Sequence, residues 1–352
     1  MKKNIYNVVG LMSGTSLDGV DIVYCRLALT SEWGYEVIYG KTYAYPDLWK
    51  DILLGAIHKT SNEVDEIDER YTKYLGELIQ KFKKEYSITE VDLVCSHGHT
   101  IFHDPANGYT KQIGNKSELA KIVGETVMCD FRVQDVELGG QGAPLVPIGD
   151  RLLFGSYYYC LNLGGFANIS FEEKGERIAY DICPVNIVLN HYTRKIGLEY
   201  DAAGYLASSG TVSDVLLTQL NSLNFYRQSY PKSLGLEWVQ KEVLPMIDDL
   251  NLTIPDILKT FVIHVAEQIA KVVQPDKSLL ATGGGVYNTF LMNAIKQSSK
   301  VKVEAADAKL IEYKEALIFG LLGVLKHRDE VNCLSSVTGA RRDHSSGVLY
   351  NP

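Results

Sequence analysis

The sequence predicts an α/β protein built as two duplicated lobes that face a central cleft. Three observations lead there. At 352 residues the chain exceeds one ordinary compact core. Strand-like runs and helical stripes alternate along its length, the mark of a layered α/β fold. A strand, glycine-rich turn, strand unit over residues 6–27 has a counterpart of the same shape at residues 157–171. The division expected is residues 1–130 with 336–352 in an N-terminal lobe and residues 131–335 in a C-terminal lobe.

The elements follow in order. Residues 6–12, 19–27 and 35–39 are β-rich runs separated by short turns, an antiparallel meander. Residues 61–86 space Val64, Ile67, Tyr71, Leu75, Leu78, Ile79 and Phe82 three or four apart, one face of a helix. Acids Glu63, Asp65, Glu66 and Asp68 near its start and Lys81, Lys83 and Lys84 near its end suit the helix dipole. A short buried strand at 91–95 runs into Ser96-His97-Gly98-His99-Thr100. A helix at 118–123, a strand at 126–129 and a loop around 139–144 come next. After the second hairpin, helical stripes fill 212–223, 257–273, 290–297 and 314–326, with a strand at 279–281.

Composition narrows the function. A hydrophobic share of 46% against 22% charged belongs to a folded, water-soluble body. A net charge of -8 without an extended basic tract argues against a nucleic-acid partner. A small ligand fits better, and it can be anionic, because local donors and helix ends bind phosphate even on an acidic protein. Asn4, Asn7, Ser13 and Gly14 interrupt the first apolar stretch before it reaches signal-peptide length. No run is long enough to span a membrane, so no membrane partner is expected. Cys25, Cys95, Cys129, Cys160, Cys183 and Cys333 are scattered, with no Cys-x-x-Cys, as reduced thiols of a cytoplasmic protein would be.

Three glycine-rich stretches could carry chemistry. In Gly10-Leu11-Met12-Ser13-Gly14-Thr15-Ser16-Leu17-Asp18-Gly19-Val20-Asp21, glycines permit close backbone approach, hydroxyls donate, and successive amides can hold an anion. Two acids beside a phosphate call for a divalent cation between them, and Mg²⁺ takes one or two carboxylates in such a place. The plainer alternative is a hairpin turn made by Gly14, Asp18 and Gly19. The chain has no Walker-type Gly-x4-Gly-Lys-Ser/Thr loop. The second stretch is Asn162-Leu163-Gly164-Gly165-Phe166-Ala167-Asn168-Ile169, in the repeated hairpin. The third is Ala281-Thr282-Gly283-Gly284-Gly285-Val286-Tyr287-Asn288, where a strand runs through glycines into a helix and backbone can pass close to a planar base. Either of these two could equally be an ordinary turn. His97, His99 and His103 have a spacing that invites a metal, but a zinc site needs three or four consistent ligands and no further one lies nearby.

The order of these stretches resembles the layout of the actin, hexokinase and heat-shock chaperone ATPase superfamily. Within it, the Gly-x-Met-Ser-Gly-Thr-Ser-x-Asp-Gly-x-Asp run resembles the opening signature of the bacterial 1,6-anhydro-N-acetylmuramate kinases. Matching stretches continue in the family's order through Ser96 to Thr100, Gln112 to Asn115, Asp130-Phe131-Arg132, Gly139 to Pro147, Asn162 to Ile169, Pro231-Lys232-Ser233, Gly283 to Asn288, Glu315-Ala316 and Thr338-Gly339-Ala340. The resemblance implies two ribonuclease-H-like lobes and a homodimer. It implies an ATP site formed by Gly14, Thr15, Ser16, Leu17, Asp18, Gly19, Val20 and Asp21 with Gly164, Gly165, Gly283, Gly284, Gly285 and Asn288, and Mg²⁺ on Asp18 and Asp21. Ser13, His97, Arg132 and Glu315 would bind the sugar, Arg132 suiting a carboxylate such as a lactyl group.

Asp181, in Asp181-Ile182-Cys183-Pro184-Val185-Asn186, matches the family's catalytic aspartate and would be the general base. Read without the family, it would cap a following helix. The implied reaction opens the 1,6-anhydro bridge with water while O6 takes the γ-phosphoryl group of ATP, giving ADP and N-acetylmuramate 6-phosphate in cell-wall recycling. Three departures from the family pattern touch the sugar side. Ile182, Cys183 and Val185 replace smaller or hydroxylated residues, His99 stands for a Gln, and Leu236 for an Arg. If the family's Gly at position 183 has positive φ, Cys183 would be strained. A kinase for another amino sugar, or a nucleotide-binding protein without turnover, are the alternatives left open.

Overall fold

The structure, a computed structural model, describes every residue except Met1, Thr15 and Ser16. The chain forms two compact units, Met1–Leu153 with Tyr313–Pro352, and Phe154–Glu312. These boundaries differ from the expected ones after residues 130 and 335. Residues 131–153 stay with the first unit because they bond to its C-terminal residues. The N–H of Gln141 donates to the Thr338 carbonyl, the N–H of Arg341 donates to the Leu138 carbonyl, and Lys314 pairs with Asp150 at 2.7 Å. The helix Ala308–His327 lies against β1 (Ile5–Ser13) so closely that a Cβ on Gly10 would come within 2.1 Å of the Ala316 carbonyl oxygen.

The first unit carries β1, β2 (Gly19–Leu29), β3 (Trp33–Ala44), β4 (Leu93–Asp104), β5 (Tyr109–Ile113) and β6 (Val127–Cys129). The meander β1 to β3 is antiparallel, and β4 and β6 add in parallel on the far side of β1. The sheet order from one edge is β3-β2-β1-β4-β6, closed by the C-terminal strand β12 (Val348–Tyr350), with β5 paired to β4. The second unit repeats this with β7 (Tyr159–Leu163), β8 (Phe166–Glu173), β9 (Glu176–Pro184), β10 (Ser278–Thr282) and β11 (Lys302–Ala305). Its order is β9-β8-β7-β10-β11, again an antiparallel meander with two parallel strands beyond its first strand. Each sheet therefore has the ribonuclease-H-like strand order, and the expected duplication is real.

The apolar stripe of residues 61–86 becomes the helix Ser61–Glu85, whose start is fixed by a reciprocal capping box between Thr60 and Glu63. Its buried face, including Tyr71, Leu75 and Phe82, packs with Val9, Val20 and Val94 in the first core. In the second core the helix Ile254–Val272 places Phe261, Val262 and Val265 among Leu161, Ile169 and Ala281 of the sheet. Two elements differ from expectation. β4 is far longer than the strand expected at 91–95, because β1 pairs with it as far as His99 and β5 pairs with it from His99 onward. Asp181 lies on β9 rather than capping a helix, since residues 176–184 pair with β8.

Candidate active site

Four of the residues expected to bind sugar come together in the first unit. The pairing of β1 with β4 shifts between Leu11 and Ser13, which sets Ser13 opposite His99. Ser13 Oγ is hydrogen-bonded to the Tyr45 hydroxyl at 2.6 Å and to His99 Nδ1 at 2.8 Å. Tyr45 in turn bonds to the Tyr71 hydroxyl. All four side chains are buried. Burial pushes the Tyr45 phenol up to about 12 and His99 down to about 4, so this chain of groups is neutral at pH 7. His99, the departure from the family's Gln, thus serves to hold Ser13.

His97 works with Arg132. Its Nδ1 lies 2.9 Å from the Gly98 carbonyl and its Nε2 accepts from Arg132 Nε at 2.8 Å. A guanidinium only donates, so Nε2 is the unprotonated nitrogen and Nδ1 carries the hydrogen. Burial, and then the Arg132 charge, hold the imidazole well below its usual pKa. Arg132 Nη1 also donates to the Gly142 carbonyl at 2.5 Å. Burial lowers the guanidinium to about 10, against the pull of Glu315, and it stays charged at neutral pH. Glu315 itself is exposed, yet desolvation raises its carboxyl pKa while Arg132 and Lys314 oppose the shift. It is an accessible acid ringed by protein atoms. A positioned cation, a carboxyl group and a neutral imidazole suit a polar ligand that bears a carboxylate.

The turn between β1 and β2 holds Gly14, Leu17 and Asp18, and the start of β2 holds Gly19, Val20 and Asp21; the Thr15 and Ser16 expected in the turn lie outside the described residues. Leu17 adopts φ 59° and its N–H donates to the Gly14 carbonyl at 3.4 Å. Asp18 is exposed, and Asp21 Oδ1 accepts from the Thr42 hydroxyl at 2.6 Å. Both carboxylates are hard oxygen donors, the type Mg²⁺ takes beside phosphate oxygens.

In the second unit, the pairing of β8 with β9 slips between Ala167 and Asn168, leaving a bulge at Ile182. A bulge re-aims side chains. Ile182 and Cys183 both enter the core, and Asp181 remains half-buried. Its N–H donates to the Lys232 carbonyl at 3.2 Å, and its Oδ2 accepts from the Leu234 N–H at 2.8 Å. Burial raises the carboxyl pKa and the Leu234 N–H pulls it back. Cys183 has no positive φ, so replacing glycine there brings no backbone strain.

The glycines of this unit divide by what they touch. A Cβ on Gly283 or Gly285 would sit 2.9 Å from the Leu163 carbonyl oxygen, and Gly283 has φ 82°, so packing demands both. Gly164 and Gly165 have no positive φ, and a Cβ there would meet nothing nearer than 3.3 and 3.8 Å. Gly284 has open space around it. Nothing in the fold itself requires glycine at 164, 165 or 284. Asn288 is largely taken up as the N-cap of the helix Thr289–Ser299, accepting from the Leu291 N–H at 3.0 Å.

His97, His99 and His103 turn to three different partners, Arg132, Ser13 and Thr110. Among the described residues the one trio with metal-ligand spacing is Asp135, Cys333 and His344. Its carboxylate already accepts from the Gly142 N–H, the Thr338 hydroxyl and the Cys333 thiol, and burial holds that thiol protonated. It is a hydrogen-bonded knot that ties the loop behind Arg132 to the C-terminal segment. Sequence reasoning missed this knot, the Tyr45 and Tyr71 partners of Ser13, and the segment that holds Asp181. No local signal in the sequence marks the knot, because Asp135 lies far along the chain from Cys333 and His344.

Two ribonuclease-H-like units in one chain define the actin and hexokinase class of ATPase fold. The sequence profile described as anhydro-N-acetylmuramic acid kinase matches residues 6–352. The anhydro-N-acetylmuramic acid kinase of Sulfurimonas denitrificans is 31% identical, over 97% of this chain and 98% of that protein. Those of Aliivibrio fischeri and Actinobacillus pleuropneumoniae serotype 5b are each 33% identical, over 97% and 99% of this chain and 98% and 100% of theirs. The chain belongs to the anhydro-N-acetylmuramic acid kinase family. Among solved structures, component A of the Acidaminococcus fermentans (R)-2-hydroxyglutaryl-CoA dehydratase is 14% identical with a TM-score of 0.48, covering 93% of this chain and 100% of that one. The fold assignment rests on strand order, not on that likeness.

Proposed function

We propose that this chain is an ATP-dependent kinase that opens the 1,6-anhydro ring of 1,6-anhydro-N-acetylmuramic acid and phosphorylates O6, yielding N-acetylmuramate 6-phosphate and ADP in cell-wall recycling. Asp181 takes one proton from a water molecule whose oxygen bonds to the anomeric carbon; the other proton stays on the new anomeric hydroxyl. The C1–O6 bond breaks, O6 keeps its electron pair and bonds to the γ-phosphorus, and the β–γ bridging electrons leave with ADP. Phosphoryl transfer of this kind depends on positioning and charge neutralisation more than on covalent chemistry.

The observation that carries the reading is the state of Asp181. One carboxylate oxygen is fixed by the Leu234 N–H, while Oδ1 accepts no hydrogen bond from the described residues, which leaves it for a water. Arg132, Glu315, His97 and Ser13 bind the sugar, with Arg132 on the lactyl carboxylate. Gly14 to Asp21, Gly164 and Gly165 approach the phosphates, Gly283 to Gly285 and Asn288 the adenosine. Mg²⁺ on Asp18 and Asp21 would neutralise phosphate charge. A cytoplasmic homodimer belongs to the same reading; the six cysteines are buried thiols, and no described helix is long and apolar enough to cross a membrane.

ADP release is the test, with ATP and either the anhydro sugar or open-ring N-acetylmuramic acid and N-acetylglucosamine as acceptor. Turnover on the anhydro sugar alone is expected. Preference for an intact pyranose, or ATP binding without turnover on any sugar, would overturn the reading.

A further inference from the structure

Asp181 lies on β9, the edge strand of the second sheet, and an edge strand offers unpaired backbone groups to whatever segment runs beside it. Residues 231–234 do so. They meet β9 at Asp181, giving a carbonyl to the Asp181 N–H and the Leu234 N–H to its carboxylate. These contacts use backbone atoms, so they say nothing yet of what keeps the segment in place.

Lys232 supplies that anchor. Its Nζ donates to the Phe225 carbonyl at 3.3 Å, in the short helical turn Asn224–Arg227. The same ammonium lies 4.6 Å from the Phe225 ring centroid and 5.8 Å from that of Tyr180, the residue before Asp181 on β9. Tyr230, just ahead of the segment, stacks on Tyr180 at 5.4 Å and 12°. One cation therefore joins the strand bearing Asp181, the segment that bonds to it and the helical turn behind. A cation between aromatic faces, with one donor on a carbonyl, needs both a long stem and a charge.

We infer that Lys232 is a positioning residue for the reaction: by fixing residues 231–234 it keeps the Leu234 N–H on the Asp181 carboxylate. The inference rests on the reading of Asp181 as the base. The Leu234 N–H favours the charged carboxylate and burial opposes it, so loosening the segment makes the base harder to ionise. The other titratable groups close by are Tyr180 and Cys183 on β9 and Tyr226, all held protonated by burial, Tyr230, whose phenol is held protonated by its hydrogen bond to Glu173, and Lys232 itself. The thiol and the phenols therefore do not titrate across the pH range where a carboxylate does.

The test compares Lys232→Met, Lys232→Arg and Asp181→Asn in the full chain, by ADP release with the anhydro sugar across pH and by ¹³C-carboxylate NMR of Asp181 without substrate. Lys232→Met is expected to lower kcat roughly ten-fold with both KM values within about three-fold. Its acid limb of kcat, and the NMR midpoint of Asp181, should move to higher pH by about half a unit or more. Lys232→Arg, which keeps stem and charge, should restore most of both. If Asp181→Asn collapses turnover while Lys232→Met keeps the wild-type rate, limb and midpoint, the positioning role is wrong and the functional reading stands. A lower melting temperature in Lys232→Met with an unmoved midpoint likewise reduces Lys232 to a structural residue. If Asp181→Asn itself turns over normally, both proposals fall.

Discussion

The two units share a strand order and use it in opposite ways. The first equips its sheet with buried side chains that satisfy one another, from Tyr71 through Tyr45 and Ser13 to His99, and from His97 to Arg132. The second offers backbone without side chains at Gly164, Gly165 and Gly284 and a half-buried carboxylate at Asp181. A rigid, internally bonded network suits recognition of a shaped polar ligand, because its donors and acceptors are fixed before binding. Exposed amides and one ionisable oxygen suit a charged group and a proton transfer.

The largest expected effect tests that contrast at Asp181. Asp181→Asn should reduce kcat by roughly 10²-fold or more, as loss of a general base does, with ATP affinity unchanged within a few-fold in a nucleotide titration. An unchanged rate would remove the chemistry from the second unit. Next in size, Arg132→Lys keeps the charge but loses the planar fork, so the sugar KM should rise by about ten-fold while the ATP KM holds. Equal rises in both would erase the distinction between recognising and reacting halves.

Glycine substitutions sharpen the comparison within the second unit. Gly165→Ala has room for its methyl and should leave the melting temperature unchanged while raising the ATP KM several-fold. Gly283→Ala, with φ 82° and the Leu163 carbonyl in the way, should instead destabilise the fold by about 1 kcal/mol or more. The smallest effect concerns His99. Its folded value of about 4 lies below the ordinary 6.5, so between those values the unfolded chain binds more protons. The resulting stability is present above pH 6.5 and lost as pH falls towards 4. His99→Gln should flatten that part of a denaturant midpoint against pH curve.

Much of the fold was legible because it depends on local pattern. The helix Ser61–Glu85 followed from its stripe, and the two hairpins from β-rich runs around glycine turns. β4 beyond residue 95 was not legible, because its continuation rests on ladders with β1, as far as His99, and with β5, from His99 onward, both formed by distant parts of the chain. At the site, Ser13, His97 and Arg132 could be nominated by motif, yet which nitrogen of His97 faces Arg132 depends on chain folded back from 35 residues away. Asp181 read as a helix cap when taken alone, since a slipped register with β8 leaves no trace in its own neighbours.

The sequence by itself determined the duplicated α/β plan, the glycine-rich turns and the family, since periodicity, glycine placement and ordered motifs are properties of neighbouring residues. Tertiary structure alone decided the unit boundaries, the neutral state of the Ser13 network and of the His97 imidazole, and the hold of residues 231–234 on Asp181. Those depend on burial and on hydrogen bonds between distant segments, and burial is a property of the folded chain rather than of any stretch of it.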